Sequence, residues 1–369
     1  MTEKFEKLSV EKKVGQLFMI GIPGPEIDAP TRELLDEVSP GGICLFARNI
    51  RDARQVRELT DALRNILPVQ PIIAIDQEGG LVDRLRRVLS PMPAADRIRS
   101  TQEAASLATV ITEALLMLGA NMDFAPVVDV VDAGRRGSMN GLTSRTFGST
   151  KEETAELAGQ FLSTLQSNGI LGCLKHFPGL GASTVDSHEE LPLVNVSQEE
   201  LYTIDLYPYQ ELITSGDVHA VMIGHAAYPS TSLQESDQNG RLLPSSLSPN
   251  FVKGLLRDEM GFDGLVVTDD LEMGAIVKNY GIGDACVRAI GAGADMLAIC
   301  ADPGAIRDGY RAVLNSLRNG DVDDGLMHCS LARISKAKSL LTEPGPFMFD
   351  RISELAAEIA DLSTKVSNR

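Results

Sequence analysis

Residues 264–271 read GLVVTDDL: a glycine, three branched aliphatic residues, a threonine, two adjacent aspartates and a leucine. Apolar residues at successive positions, without the alternation of a one-sided sheet, mark a strand buried on both faces, as in parallel sheets. Seven other short apolar runs bounded by turn residues share this character: GQLFMIGI (15–22), GGICLF (41–46), PIIAID (71–76), NMDFAPVVDVV (121–131), GILGCLKHF (169–177), HAVMIGHAAY (219–228) and ADMLAIC (294–300). Between them lie segments with helical spacing, such as 51–67, 150–169 and 248–261. The last two open on Thr150 and Ser248 and close on Gly169 and Gly261, which are favoured helix-terminal residues. Strand and helix alternate about eight times without a break in composition, which predicts a single (β/α)8 TIM-type barrel and not an open doubly wound sheet. The barrel is expected to fill residues 1–345, followed by an amphipathic helical tail over 346–369. That tail is expected to pack on the barrel or on a partner subunit, the second case giving a homodimer.

Composition excludes several classes of function. The 34 Lys+Arg against 51 Asp+Glu give a formal charge of -17, which repels nucleic-acid backbones and anionic lipid surfaces. Five cysteines (Cys44, Cys173, Cys286, Cys300, Cys329) are scattered without paired spacing and read as reduced residues, not as a disulfide framework or zinc site. The N-terminus begins charged, and its first apolar run is short and ends in Gly-Ile-Pro-Gly, unlike a signal peptide or a membrane span. The expected compartment is the cytoplasm.

A barrel places its active site where strands end at their carboxyl edge, so ionisable residues should close several apolar runs. Asp76 closes PIIAID, Asp129 ends APVVD, Lys175 and His176 close GILGCLKH, His225 falls in MIGHAAY, and Asp269 and Asp270 close GLVVTDD. Such groups in runs this apolar are costly to bury without partners. Carboxylates and histidines with no nucleotide-binding loop suggest acid/base or nucleophilic catalysis, or a metal site. No H-E-x-x-H, C-x-x-C or G-x-S-x-G is present, and GLGAS is not the full dinucleotide fingerprint. No metal and no cofactor are therefore expected.

The stretch Lys175 to His188, KHFPGLGASTVDSH, resembles the signature of the β-N-acetylglucosaminidase branch of glycoside hydrolase family 3: K-H, F or I, P-G, H or L, G, four residues, D, S or T, H. LFARNI (45–50), AIDQEGGLVDRLR (74–86), FAPVVDV (124–130), SRTFG (144–148) and VVTDDLEMGAI (266–276) are similar to the same branch, so that the resemblance runs over nearly the whole predicted barrel. It implies a retaining β-N-acetylhexosaminidase acting on a terminal β-linked N-acetylglucosamine, with Asp269 as nucleophile and His188 as acid/base partnered by Asp186. An imidazole titrates near neutrality, and a carboxylate two positions away can orient one ring nitrogen. Asp270 satisfies the competing role of helix N-cap, which leaves Asp269 for chemistry. Asp76, Arg84, Arg145, Lys175 and His176 carry over as sugar contacts, with salt bridging as the plainer role for the two arginines. The chain departs from the commonest motif at Leu180, where a histidine often stands, and at Ala182 and Ser183, where Asp-Thr is frequent; contacts to the leaving group are expected to differ.

Tryptophan is absent and aromatic residues make up 5%, whereas enzymes that hold long glycans stack sugars on aromatic faces. The expected partner is a small carbohydrate, and the resemblance points to muropeptide fragments of cell-wall recycling. The alternatives are a β-glucosidase or glycoside phosphorylase of the same family, and a sugar-binding barrel without turnover.

Overall fold

The computed structural model describes residues 5–136, 141–184 and 190–367. Each predicted apolar run contributes one parallel strand: β1 Phe18–Gly21, β2 Gly42–Leu45, β3 Ile72–Ile75, β4 Met122–Asp123, β5 in two pieces (Leu171–Gly172 and Leu174–Phe177), β6 Ala220–Ile223, β7 Leu265–Asp270 and β8 Met296–Ile299. Pairing runs β5-β4-β3-β2-β1-β8-β7-β6-β5, beginning on the first piece of β5 and ending on the second. The sheet thus closes on one interrupted strand, with Met122 opposite Leu171 on one side and Leu174 opposite Val221 on the other. Closure removes both sheet edges, and with helices outside, every strand is buried on both faces. This explains the absence of period-two alternation in the sequence.

Eight helices follow the eight strands: α1 Ala29–Val38, α2 Ala53–Ile66, α3 Thr101–Leu118, α4 Lys151–Ser167, α5 Tyr207–Ser215, α6 Asn250–Glu259, α7 Ile282–Ala292 and α8 Pro303–Asn319. Helix α4 begins as its sequence predicts, with Thr150 Oγ1 accepting from the Glu153 N–H at 3.2 Å, and Gly169 beyond its end takes a φ of 97°. The Ser248 cap does not form. Helix α6 starts at Asn250, and the Ser248 hydroxyl donates to Glu235, whose carboxylate accepts from the Asn250 N–H at 3.1 Å. A longer acidic side chain from a neighbouring loop has taken over the orphan donor that serine was expected to satisfy.

Two more helices complete the chain, α9 Asp324–Ser339 and α10 Phe349–Ser367. The seam of α10 is Ile352, Leu355, Ile359, Leu362 and Val366, buried at alternating spacings of three and four. It lies against α3 of the same chain, where Arg351 makes a two-pronged ion pair with Glu113 at 2.6 and 2.8 Å. Full burial of each such aliphatic side chain contributes about 1.5–3 kcal/mol. The tail's apolar face is therefore covered by its own barrel.

Candidate active site

At the carboxyl edge of the strands lies a cavity of about 160 Å³, lined by Asp76, Arg84, Arg145, Lys175, His176 and Asp269, with Asp270 beside them. The structure gathers all six described residues that the sequence nominates, from points in the chain up to 193 positions apart (269 minus 76). His188 and Asp186 lie outside the described residues.

Strand β5 delivers Lys175 and His176 as neighbours, and both line the cavity, whereas a regular strand would turn one of them outward. The peptide bond between them is cis. Lys175 Nζ donates to Asp76 Oδ1 at 2.7 Å and to Glu78 Oε1 at 2.6 Å. Arg145 holds the same Glu78 through Nε and Nη2, both at 2.8 Å. Burial alone would raise the Glu78 carboxyl, but Lys175 and Arg145 outweigh it and bring it down to about 2. The four charges cancel, so the cluster can be buried as a unit. Glu78 was not singled out in the sequence. Its signal was the second acid of the DQE triplet, on the short hairpin formed by Gln77–Gly79 and Val82–Asp83.

Asp129 is a second support that sequence reasoning noticed only as a strand-end acid. One of its oxygens accepts from His176 Nδ1 at 2.8 Å and the other from the Leu180 N–H at 2.6 Å. This fixes His176 with Nδ1 protonated and turns Nε2 into the cavity, where it lies 3.5 Å from Arg145 Nη2. Arg84 is held more loosely. Its Nη2 is 3.6 Å from Asp76 Oδ2, its guanidinium lies 5.6 Å from the Phe46 ring centroid, and among the described residues its buried Nε has no partner. A donor left unpaired in a polar cavity is suited to a ligand oxygen.

The two aspartates ending β7 are driven in opposite directions. Burial would raise Asp269, but His176, His225, the Asp270 N–H at 2.8 Å and Lys175 together hold it below the ordinary aspartate value. His225 itself is lowered, chiefly by burial. Its Nε2–H donates to the Asp270 carbonyl at 3.0 Å and its Nδ1 faces the Ser246 hydroxyl at 2.7 Å. It is neutral near pH 7, so the lasting positive influence on Asp269 comes from Lys175 and the backbone N–H. Asp270 is raised to about 7, first by burial and then by the charges of Glu272 and Asp269, against hydrogen bonds from the Glu272 and Cys300 N–H groups. It anchors the turn after β7 and does not form the helix cap that its sequence predicts: the short helix Gly274–Val277 has Met273 at its N-cap and no side-chain cap. Asp269 is left as an ionised carboxylate facing the cavity, which is what an attacking group requires.

Residues 9–337 match the profile described as the glycosyl hydrolase family 3 N-terminal domain. A protein of Tolumonas auensis named beta-hexosaminidase is 34% identical over 306 residues, covering 82% of this chain and 86% of that protein. The β-N-acetylglucosaminidase of family 3 from Paenibacillus sp. str. FPU-7 superimposes with a TM-score of 0.86 at 34% identity, covering 96% of this chain and 69% of that one. The β-N-acetylhexosaminidase from Beutenbergia cavernae gives 0.82 at 27% identity, covering 90% of this chain and 99% of that one.

Proposed function

The chain belongs to glycosyl hydrolase family 3, and from that premise we propose that it is an exo-acting β-N-acetylglucosaminidase that works with retention through a glycosyl-enzyme on Asp269. The observation that carries this reading is the ionised Asp269 beside a ring of hydroxyl-binding groups in a cavity sized for one sugar. At about 160 Å³ it is well below the roughly 300–1,000 Å³ typical of sites for larger ligands.

In the first step the Asp269 carboxylate attacks the anomeric carbon as the bond to the leaving oxygen breaks, and His188 supplies the proton to that oxygen. In the second step His188 takes a proton from water, which displaces Asp269 and restores the β-configuration. Asp186 orients the imidazole and stabilises its charged form. Asp76 Oδ2, not taken by Lys175, accepts from a sugar hydroxyl, and Arg84 Nε donates to another. The third Lys175 hydrogen and His176 Nε2 complete the ring around the sugar. Low aromatic content along the cavity wall, where Phe46 and Phe124 are the only phenyl, phenol or indole rings among the described residues, supports a short and loosely held aglycone. We place the natural substrate among muropeptide fragments and the reaction in the cytoplasm. Among the described residues no helix is long and apolar enough to cross a membrane.

The test is hydrolysis of a nitrophenyl N-acetyl-β-glucosaminide, compared with the β-glucoside and repeated with added phosphate. Release of free N-acetylglucosamine at a rate independent of phosphate is expected. Preference for the glucoside would move the chain to the β-glucosidases, and a phosphate-dependent sugar 1-phosphate product would make it a phosphorylase. No release from either glycoside would leave the binding-protein reading.

A further inference from the structure

The chain leaves β5 through Gly179-Leu180-Gly181, and neither glycine has room for a side chain. A Cβ on Gly179, whose φ is 132°, would lie 2.8 Å from Asp205 Cβ, and one on Gly181 would lie 2.0 Å from the Val130 carbonyl oxygen. Leu180 between them lines the cavity and donates its N–H to Asp129 Oδ1 at 2.6 Å, while Asp129 Oδ2 accepts from His176 Nδ1 at 2.8 Å. The stem and the imidazole therefore share one carboxylate. A shift of the stem either drags Asp129 with it or breaks the bond to Leu180, and in both cases the ring loses its alignment.

One guanidinium stands behind both glycines. Arg135, in the loop after β4, donates from Nη1 to Asp205 Oδ1 at 2.6 Å and from Nη2 to Asp205 Oδ2 at 3.1 Å, and Nη1 also reaches the Val130 carbonyl at 3.2 Å. Asp205 ends the turn Leu201–Asp205 before α5 and is fully buried. Arg135 thus ties together the two surfaces on which Gly179 and Gly181 rest. The buried Tyr228, in the loop after β6, donates its hydroxyl to the Gly179 carbonyl at 2.7 Å and adds a third anchor. A two-pronged guanidinium–carboxylate contact fixes direction as well as distance, whereas burying such a pair brings little net stability. That balance suits a brace. Neither Arg135 nor Asp205 stands in the cavity wall.

We propose that Arg135 and Asp205 are positioning residues for His176, holding the stem of residues 179–181 so that Asp129 keeps the imidazole aligned with Nε2 toward the cavity. They act through the stem and the shared carboxylate and do not touch the sugar. The contact of His176 with a sugar rests on the function proposed above; the alignment of its ring does not.

The test uses the full chain with isotope-labelled histidine. The chain carries five histidines, and the ring signal that disappears in His176→Gln is assigned to His176. In proton–nitrogen spectra of the parent the His176 Nδ1–H should exchange slowly with water. In Arg135→Met and in Asp205→Asn that exchange should quicken about tenfold or more, while the Nε2–H of His225, held by the Asp270 carbonyl, keeps the parent's rate. Turnover supplies a second readout. KM for a nitrophenyl N-acetyl-β-glucosaminide should rise about tenfold, the scale of one lost hydrogen bond, with kcat within about threefold of the parent. Added to His176→Ala, Arg135→Met should raise KM no further. Should a single variant fail to fold with its partner charge stranded, Arg135→Met/Asp205→Asn removes both charges and tests the same brace. Unchanged exchange at His176 in a folded variant would overturn the proposal, as would a KM rise that persists undiminished in the His176→Ala background. Equal quickening at His176 and His225 would overturn it too, because a pair that only stabilises the fold does not single out one ring. Exchange is read without turnover, so a parent that hydrolyses no glycoside would count against the glycosidase assignment and leave the spectra to decide the role of the pair.

Discussion

The two ends of the barrel each bury a knot of opposite charges, and they treat it differently. At the amino-terminal end Asp295 accepts from Arg257 Nη2 at 2.6 Å, from the Val266 N–H at 2.9 Å and from Arg333 Nη1 at 3.3 Å. Arg257 is spent further on the Phe262 and Gly264 carbonyls, and Arg333 on Asp263. At the carboxyl end, among the described residues, the Asp269 carboxylate accepts one hydrogen bond, from its neighbour's N–H, and Arg84 Nε has no partner. Both ends have the charge balance that burial demands, and among the described residues each holds a guanidinium Nε without a partner, Arg257 at the amino-terminal end and Arg84 at the carboxyl end, but only Arg84 lines the cavity that holds Asp269. A donor left unpaired inside packed protein only costs stability; one left unpaired at a cavity is completed by a ligand.

That contrast predicts two kinds of damage. Asp269→Ala should lower turnover by at least about four orders of magnitude, as loss of a nucleophile does, while the unfolding midpoint in urea stays within experimental reach of the parent. A folded variant with near-normal rates would remove Asp269 from the mechanism. Asp295→Ala should do the reverse, costing about 3–5 kcal/mol of stability by stranding Arg257 in a buried site. Its folded fraction, measured at low temperature, should keep the parent's kcat/KM. Loss of activity without loss of stability would mean that the two ends are coupled.

The carboxyl end was also the easier one to read. Asp76, Lys175, His176 and Asp269 stand out because charge at the end of an apolar run is conspicuous, and the strand ends of a barrel share one face. Asp295 precedes its strand, where a polar residue is ordinary, and nothing in ADMLAIC told that its carboxylate would meet two arginines from 38 residues away on either side. Glu78 was hidden for a related reason: its role depends on a hairpin that folds it back under Lys175 and Arg145. Eight strands and the barrel they form could be read from the succession of apolar runs, whereas the interruption of β5 at Cys173 and the loss of the Ser248 cap depend on contacts between distant segments.

His188 sharpens the account of the reactive end. If it protonates the departing oxygen, His188→Ala should cost about 10²–10³ in rate on glycosides with poor leaving groups, and far less on an acidic phenol. On the phenol the glycosyl-enzyme should accumulate, and azide, which needs no deprotonation, should restore turnover as the β-glycosyl azide. An equal loss on all leaving groups with no azide product would make His188 a positioning residue.

The smallest effect expected tests the other end, at Lys338 on α9. Its ammonium is fully buried, donates to Gln16 Oε1 at 2.8 Å and lies 5.7 Å from the Phe5 ring centroid, with no ion-pair partner among the described residues. Burial pulls its pKa down to about 7, against an ordinary value near 10.5 in the unfolded chain. Below about pH 7 the group is charged in both states, and the full cost of burying that charge falls on the fold. Between pH 7 and 10.5 the unfolded chain holds the proton and the folded chain does not, so stability rises with pH, by at most about 1.4 kcal/mol per unit. Lys338→Met removes the group and should be more stable than the parent by about 1–3 kcal/mol at pH 6, as replacing a poorly compensated buried charge by an apolar side chain often is. Stranding the Gln16 amide oxygen offsets part of that gain, but the offset does not change with pH. Urea unfolding of both proteins at pH 6, 7.5 and 9 isolates the titration as the difference between them, which should shrink as pH rises. A gap that stays constant would mean that Gln16 and the Phe5 ring suffice to keep the ammonium charged, and that the amino-terminal end tolerates an unpaired charge that its arginines do not.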